Sequence, residues 1–246
     1  MGAPTVAVLT FVGLIAAALA SMALYRRLPD HHQREDTNAA VRLIAAIFVT
    51  VTSLVLGLMI NSAANTFLVT DRNVHVFATD LVLLDRTMRT LGPEAEDARQ
   101  RLIAYVEHAL GPSPPSQGSI SSERLLDDLG ASLRAIRPSD DRQIELWNEA
   151  RQIYREAVHQ RWVLVEQSDG GLPPAMIAIL IAWLVLIFAS LGYRAPANAV
   201  VITAVFAAAL LISASLYLII DMNTPFTGTI QVSDHPLRRV LEEITR

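Results

Sequence analysis

The sequence predicts an all-α membrane protein: four transmembrane helices, with a helical bundle inserted between the second and the third. Three observations predict it. Residues 1–25, 43–70, 170–193 and 195–220 contain no charged side chain. Each stretch is long enough to span a bilayer, since about 20 apolar residues rising about 1.5 Å apiece cross the roughly 30 Å hydrocarbon core. Between the second and third stretches the apolar residues recur at helical spacing, with no strand-like alternation. Composition agrees. Charged residues are 18% of the chain and hydrophobic ones 52%, with a mean hydropathy of +0.37, whereas soluble chains carry about 25% charge.

That balance excludes a soluble enzyme, and the net charge of −4 gives no reason to expect a nucleic-acid partner. Cysteine is absent, so disulfides, thiolate metal sites and cysteine nucleophiles are excluded. Every basic residue is arginine, which removes Schiff-base chemistry and a P-loop lysine.

The first span covers residues 6–25. Its arginines follow the apolar run instead of preceding it, the reverse of a cleaved secretory signal. The loop 26–42 comes next, and Asp36 or Thr37 is placed to cap span two at 43–66. No breaker follows. Val74, Phe77, Leu81, Leu84, Met88 and Leu91 continue with spacings alternating between three and four, a coiled-coil-like seam. One helix is therefore expected over 37–91, stopped by Gly92-Pro93. A second helix buries Leu102, Val106 and Leu110. A proline-rich loop spans 111–121. A third helix, capped by Ser121 or Ser122, buries Leu125, Leu129, Leu133 and Ile136. The fourth aligns Ile144, Trp147, Tyr154, Val158 and Val165 and ends at Gly170-Gly171. Spans three and four follow at 174–193 and 198–220. The tail reads as extended chain, then a short helix from Ser233 with Leu237, Val240, Leu241 and Ile244 inside, packed on the bundle because it cannot bury that stripe alone. The resulting organisation is a first helix pair at 1–69, a bundle at 70–172, a second pair at 173–220 and a tail at 221–246.

Orientation follows from short-loop arginines. Arg26, Arg27, Arg34, Arg42 and Arg194 cluster in the loops 26–42 and 194–197, which the positive-inside rule makes cytoplasmic. Tyr25, directly before Arg26 and Arg27, and Tyr193, directly before Arg194, are interface anchors of aromatic-belt type. The chain is then a multi-pass protein of the cell (inner) membrane, with both termini and the bundle outside.

Chemistry-bearing candidates are few. No Asp, Glu, Arg or His lies within the four spans, which argues against a proton pump or carboxylate-coupled transporter. Thr50, Ser53, Gly57, Asn61 and Asn65 lie within about 120° of one face of span two. They either line a pore, replacing ion hydration with side-chain dipoles, or serve as polar glue between helices. Gly13, Ala17 and Ser21 on span one, and Ala204 and Ala208 on span four, form small-residue faces for helix packing or a subunit interface. His31 and His32, with Asp30, Glu35 and Asp36 nearby, form a weak metal candidate whose adjacent histidines suit one ion poorly. A solvated loop explains them. No catalytic motif occurs, so neither an enzyme nor a cofactor is expected.

The segments HHQREDTNAAVRLIAAIFVTVTSLVLGLMINSAANTF, VLLDRTMRTLGPEAEDARQRL, RWVLVEQ, FASLGYRAPANA and DMNTPFTGTIQVS resemble those of a bacterial bestrophin-like integral membrane family, and the resemblance covers essentially the whole chain. The layout also resembles bestrophins, which are oligomeric anion channels with the pore on the second span. The resemblance implies an oligomeric ion channel, with lipid, permeant ions and further copies of the chain as its partners. It also implies a cytoplasmic bundle, the reverse of the arginine count. No bestrophin neck or calcium-clasp motif is matched residue by residue. The alternative expectation is a non-conducting adaptor or sensor, whose seam at 74–91 engages a protein partner.

Overall fold

The computed structural model describes residues 2–25, 35–111, 120–169, 172–193, 195–196 and 198–246, with the side chains of 35–42, 120 and 169 left aside. Among the described residues there are eight α-helices and no strand: α1 (Ala3–Tyr25), α2 (Glu35–Leu91), α3 (Glu96–Ala109), α4 (Ile120–Ala135), α5 (Asp141–Asp169), α6 (Pro174–Gly192), α7 (Ala199–Met222) and α8 (His235–Ile244). The chain divides into two compact units. One holds residues Met1–Thr66 and Gly171–Asn223, the other Phe67–Gly170 and Thr224–Arg246. Helix α2 runs through both.

The first unit contains four helices long and apolar enough to cross a membrane. Helix α1 packs against both α6 and α7, around a core that includes Leu14, Ala18, Leu184, Phe188, Ala209 and Leu216. The packed stripe of α1 is Thr10, Leu14, Ala18 and Met22. Thr10 is tolerated there because its hydroxyl donates to the Val6 carbonyl at 2.8 Å. Backbones approach closely at Gly192, where an added Cβ would collide with the Ala18 carbonyl oxygen and stand 2.9 Å from Ala18 Cα. Helix α7 continues past the predicted end of span four and carries buried Asp221 in its last turn.

The second unit is a helical bundle. All six seam residues from Val74 to Leu91 are buried in its core, each contributing roughly 1.5–3 kcal/mol of apolar burial. Gly92 ends α2 with φ of 92°, a left-handed conformation that glycine adopts without a Cβ penalty. Pro93 opens a 3₁₀ turn into α3. Helix α3 packs on α4 and α8, and α4 on α5. Between α4 and α5, Trp147 Nε1 donates to the Leu133 carbonyl at 2.7 Å and the Tyr154 hydroxyl to the Leu126 carbonyl at 2.9 Å. Helix α8 buries Pro236, Leu237, Val240 and Ile244 in this unit. Ser233 Oγ accepts from the His235 amide at 3.2 Å.

Helix α5 departs from its expected face. Ile144 is exposed, and Trp147, Tyr154 and Val158 are only partly buried. The buried positions are Ala150, Ala157, Arg161 and Leu164. Small alanines let α5 lie close to its neighbours, so the bulky residues end up flanking the contact.

Candidate functional site

Span two has the distinctive geometry of the membrane unit. Only 11% of its apolar stretch is buried, against 22%, 28% and 17% for the other three spans. Its packed side is made by Ala45, Thr52, Leu56, Met59 and Ala63. Trp183 Nε1 of α6 donates to Thr52 Oγ1 at 2.8 Å, while that hydroxyl donates to the Phe48 carbonyl at 2.7 Å. The Phe48 and Trp183 rings meet with centroids 4.9 Å apart.

Thr50, Ser53, Gly57, Asn61 and Asn65 are all exposed. At about 100° per residue they fall on the side of α2 opposite that packed face. A Cβ added at Gly57 would meet open space. The five residues do not behave alike. Thr50 donates to the Ala46 carbonyl at 3.0 Å and Ser53 to the Val49 carbonyl at 2.9 Å. Both hydroxyls are thus satisfied by their own helix and tolerate lipid. The Asn61 and Asn65 amides have no hydrogen-bond partner among the described residues. An amide taken from water into hydrocarbon without a partner costs roughly 2–7 kcal/mol. Those two asparagines therefore demand water or another polar surface. Leu54, at 65% exposure, shares the same sector of the helix, so the outward face is amphipathic.

The remaining candidates are placed as follows. Gly13, Ala17 and Ser21 are half-buried, one residue round the helix from the packed stripe, and a Cβ at Gly13 would touch nothing. Ala208 lies against the membrane-unit core and Ala204 is exposed. The close approach within the chain thus falls at Ala18 and Gly192. Tyr25 and Tyr193 pack edge to face with centroids 5.0 Å apart, which brings the matching ends of α1 and α6 together. Arg26, Arg27, Arg194, His31 and His32 lie outside the described residues.

The bundle holds two polar features that spacing alone did not disclose. Buried Asp85 accepts from Arg89 Nε at 2.7 Å and from Arg99 Nε at 3.0 Å. Arg89 Nη2 then donates to the Glu243 and Ile244 carbonyls at 3.0 and 3.1 Å, so two arginines oriented by one carboxylate satisfy the free carbonyls at the end of α8. The second feature is Arg161, only 2% exposed. It shares its helical register with Ala150, Ala157 and Leu164, which only their burial singles out from the bulkier face beside it. His75 and His235, distant in sequence, both line an open cleft of about 590 Å³ with Arg86, Arg239 and Glu243. Among the described residues no group of three or more acidic or histidine side chains is placed to hold a metal ion.

Burial, and next the nearby Glu156 charge, raise the carboxyl pKa of Asp80 above the ordinary range. Burial pushes the Tyr105 hydroxyl up to about 12, against an opposing pull from the Arg161 charge.

Known proteins match this architecture. No curated protein sequence matches the chain. Among solved structures, a bacterial bestrophin homolog from Klebsiella pneumoniae carrying a point mutation superposes with a TM-score of 0.67 at 14% identity, covering 97% of each chain. A second point mutant of that homolog gives a TM-score of 0.65 at 14% identity, covering 96% of this chain and 97% of that one. A mutant described only as a membrane protein gives 0.67 at 14% identity over 96% of each. These likenesses establish a shared fold across the multi-pass membrane helices and the helical unit alike. The family model for the bestrophin-like domain matches residues 12–237, and the chain belongs to the bestrophin-like family.

Proposed function

We propose that this chain is the subunit of a homo-oligomeric ion channel, selective for anions, in which copies of span two surround a water-filled pore. The observation that carries the reading is the placement of the polar stripe on the face of α2 that the chain's own helices leave uncovered. Asn61 and Asn65 require polar surroundings that lipid tails cannot supply. Around an axis, copies of that face would offer amide and hydroxyl dipoles and no fixed charge, a lining suited to passing dehydrated ions. Family membership supports the oligomer and the anion preference. The small faces at Gly13, Ala17, Ser21 and Ala204 remain uncovered enough to serve contacts between subunits. The bilayer and the permeant ion are the remaining partners, and no catalytic role is proposed.

The absence of native cysteine makes a clean test. Purified protein is reconstituted in planar bilayers, and single cysteines replace Thr50, Ser53, Asn61 or Asn65. Charged thiol reagents should alter the current through each of these variants and leave Val200→Cys unaffected. Reversal potentials in a chloride gradient report selectivity. Silent bilayers from verified oligomers, or equal reagent effects at all positions, sink the reading.

The arginine count supports a bundle outside the cell membrane. An alkaline phosphatase fusion at Ser116 should then be active. An inactive fusion, with a fluorescent protein at the same site folding in the cytoplasm, replaces this orientation with the one the family resemblance implies. The adaptor reading loses one of its two motives, because the seam it relied on, Leu81 included, is buried in the bundle's own core; the absence of ionisable groups from the spans still favours it equally.

A further inference from the structure

We infer that Arg161 and Tyr105 together bind a small monovalent anion of halide size inside the helical unit. Arg161 Nε and Nη2 and Tyr105 Oη are all buried, and none has a hydrogen-bond partner among the described residues. Arg161 also has no carboxylate in ion-pair distance among them. The guanidinium stands beside the Tyr105 hydroxyl, close enough to pull its proton affinity down by charge and by hydrogen bonding, but without the geometry of a formed donor–acceptor pair. Two orphan N–H donors and one hydroxyl therefore share one neighbourhood in need of an acceptor.

Three escapes from an unpaired buried charge are closed. Arginine does not deprotonate in proteins, so it cannot neutralise itself as a buried lysine does. Its stem is anchored in the core register of α5 between Ala157 and Leu164, both buried, and the residue as a whole is 2% exposed, so water reaches little of the head and neither Nε nor Nη2. The Trp162 ring, with its centroid 5.9 Å from Cζ, lies at the outer limit of cation–π range and offers no acceptor. A charge-neutralising ligand that only accepts hydrogen bonds meets every requirement. Phe77, whose ring centroid is 6.4 Å from that of Tyr105, and buried Leu164 supply apolar walls. Such walls favour a compact, weakly hydrated anion over a carboxylate or phosphate, whose oxygens need more donors than these. The site belongs to the helical unit and does not rest on conduction by span two.

The test uses full-length protein in detergent or lipid. Thermal unfolding is compared in sodium bromide and in sodium gluconate at equal ionic strength, gluconate being too large for the site. Bromide should raise the Tm of the native chain by about 3–6 °C at tenfold excess over its Kd, given the shift expected of a chain this size. Tyr105→Phe keeps the charge and the ring but loses one donor, so its bromide response should be several-fold weaker. Arg161→Met keeps the length and removes the charge, so its Tm should be the same in both salts. An anomalous difference map from bromide-grown crystals should place a peak within hydrogen-bond distance of Arg161 Nε and Nη2. Equal bromide responses in the native chain and Tyr105→Phe overturn the inference. So does a map with water alone at the guanidinium, and that map decides the matter even if Arg161→Met does not fold.

Discussion

The helical unit and the membrane unit solve the same problem in opposite ways. In the bundle, the chain supplies most partners itself. Trp147 and Tyr154 reach carbonyls of α4, and Asp85 holds two arginines that close the end of α8. Six seam residues vanish into one core. In the membrane unit, α2 is covered on one side only, and its outward face mixes large apolar residues with unsatisfied amides. The difference teaches where each unit finds its partners: the bundle mostly within its own sequence, the second span largely outside the chain's own helices. Arg161 is the place where the bundle breaks its own rule, which is why it carries an inference.

The largest effect should come from opening the closed unit. Asp85→Ala leaves Arg89 and Arg99 without their shared carboxylate and frees the end of α8. Losing one partner of a buried ion pair costs about 3–5 kcal/mol, trimmed toward the lower end because Arg89 is over a third exposed. Thermal unfolding in detergent should show a clear fall in Tm, and protease should release the tail. An unchanged Tm would mean that α8 is held by its apolar face alone.

Next is the close backbone approach of α1 and α6. Gly192→Ala forces a methyl into the Ala18 backbone, which cannot move aside as a side-chain tip would. Overpacking of this kind costs about 1–3 kcal/mol. Gly13→Ala, at a position with nothing nearby, should leave the monomer's stability unchanged. If Gly13→Ala instead lowers the oligomer fraction in crosslinking, its face is a contact between subunits.

Asn61→Leu should separate the units most sharply. It removes an unpartnered amide, so unfolding should be neutral or slightly delayed while the conductance changes severalfold. A matching loss of both stability and current would make Asn61 a packing residue.

The smallest effect concerns pH. Asp80 has a raised carboxyl pKa in the folded bundle, so its contribution to stability is present below the ordinary carboxylate pKa and is lost as pH rises through the folded value. Asp80→Asn should therefore raise Tm slightly at pH 7 and have no effect near pH 3. An equal gain at both values would assign the effect to something other than charge.

The fold class was largely legible because its determinants are local. Charge-free stretches of bilayer length need no tertiary knowledge, and the three-four spacing from Val74 to Leu91 holds in any bundle that covers it. The gaps came where two elements must meet. Helix α5 offered large residues at helical spacing, yet Ala150, Ala157, Arg161 and Leu164 are the buried ones. Backbone proximity favours small side chains, and a hydrophobic count ranks alanine below tryptophan. The small-residue reading of α1 named Gly13, Ala17 and Ser21, while the contact with Gly192 on α6 falls on the neighbouring register at Ala18. The polar stripe of span two was visible as a stripe, but not which way it faced.

By itself, then, the sequence determined where the chain crosses a membrane, where its long helix continues past the bilayer, and where that helix stops at Gly92. Those follow from hydropathy, periodicity and a residue free to adopt positive φ, all properties of short segments. Only the tertiary structure decided which face of each helix is covered. It turned the amides of Asn61 and Asn65 away from the chain's own helices, joined Asp85 to the end of α8, and enclosed Arg161 beside Tyr105 without an acceptor. Each depends on the relative rotation of helices distant in sequence, which is set by how side chains interdigitate across the contact and not by the pattern along any one helix.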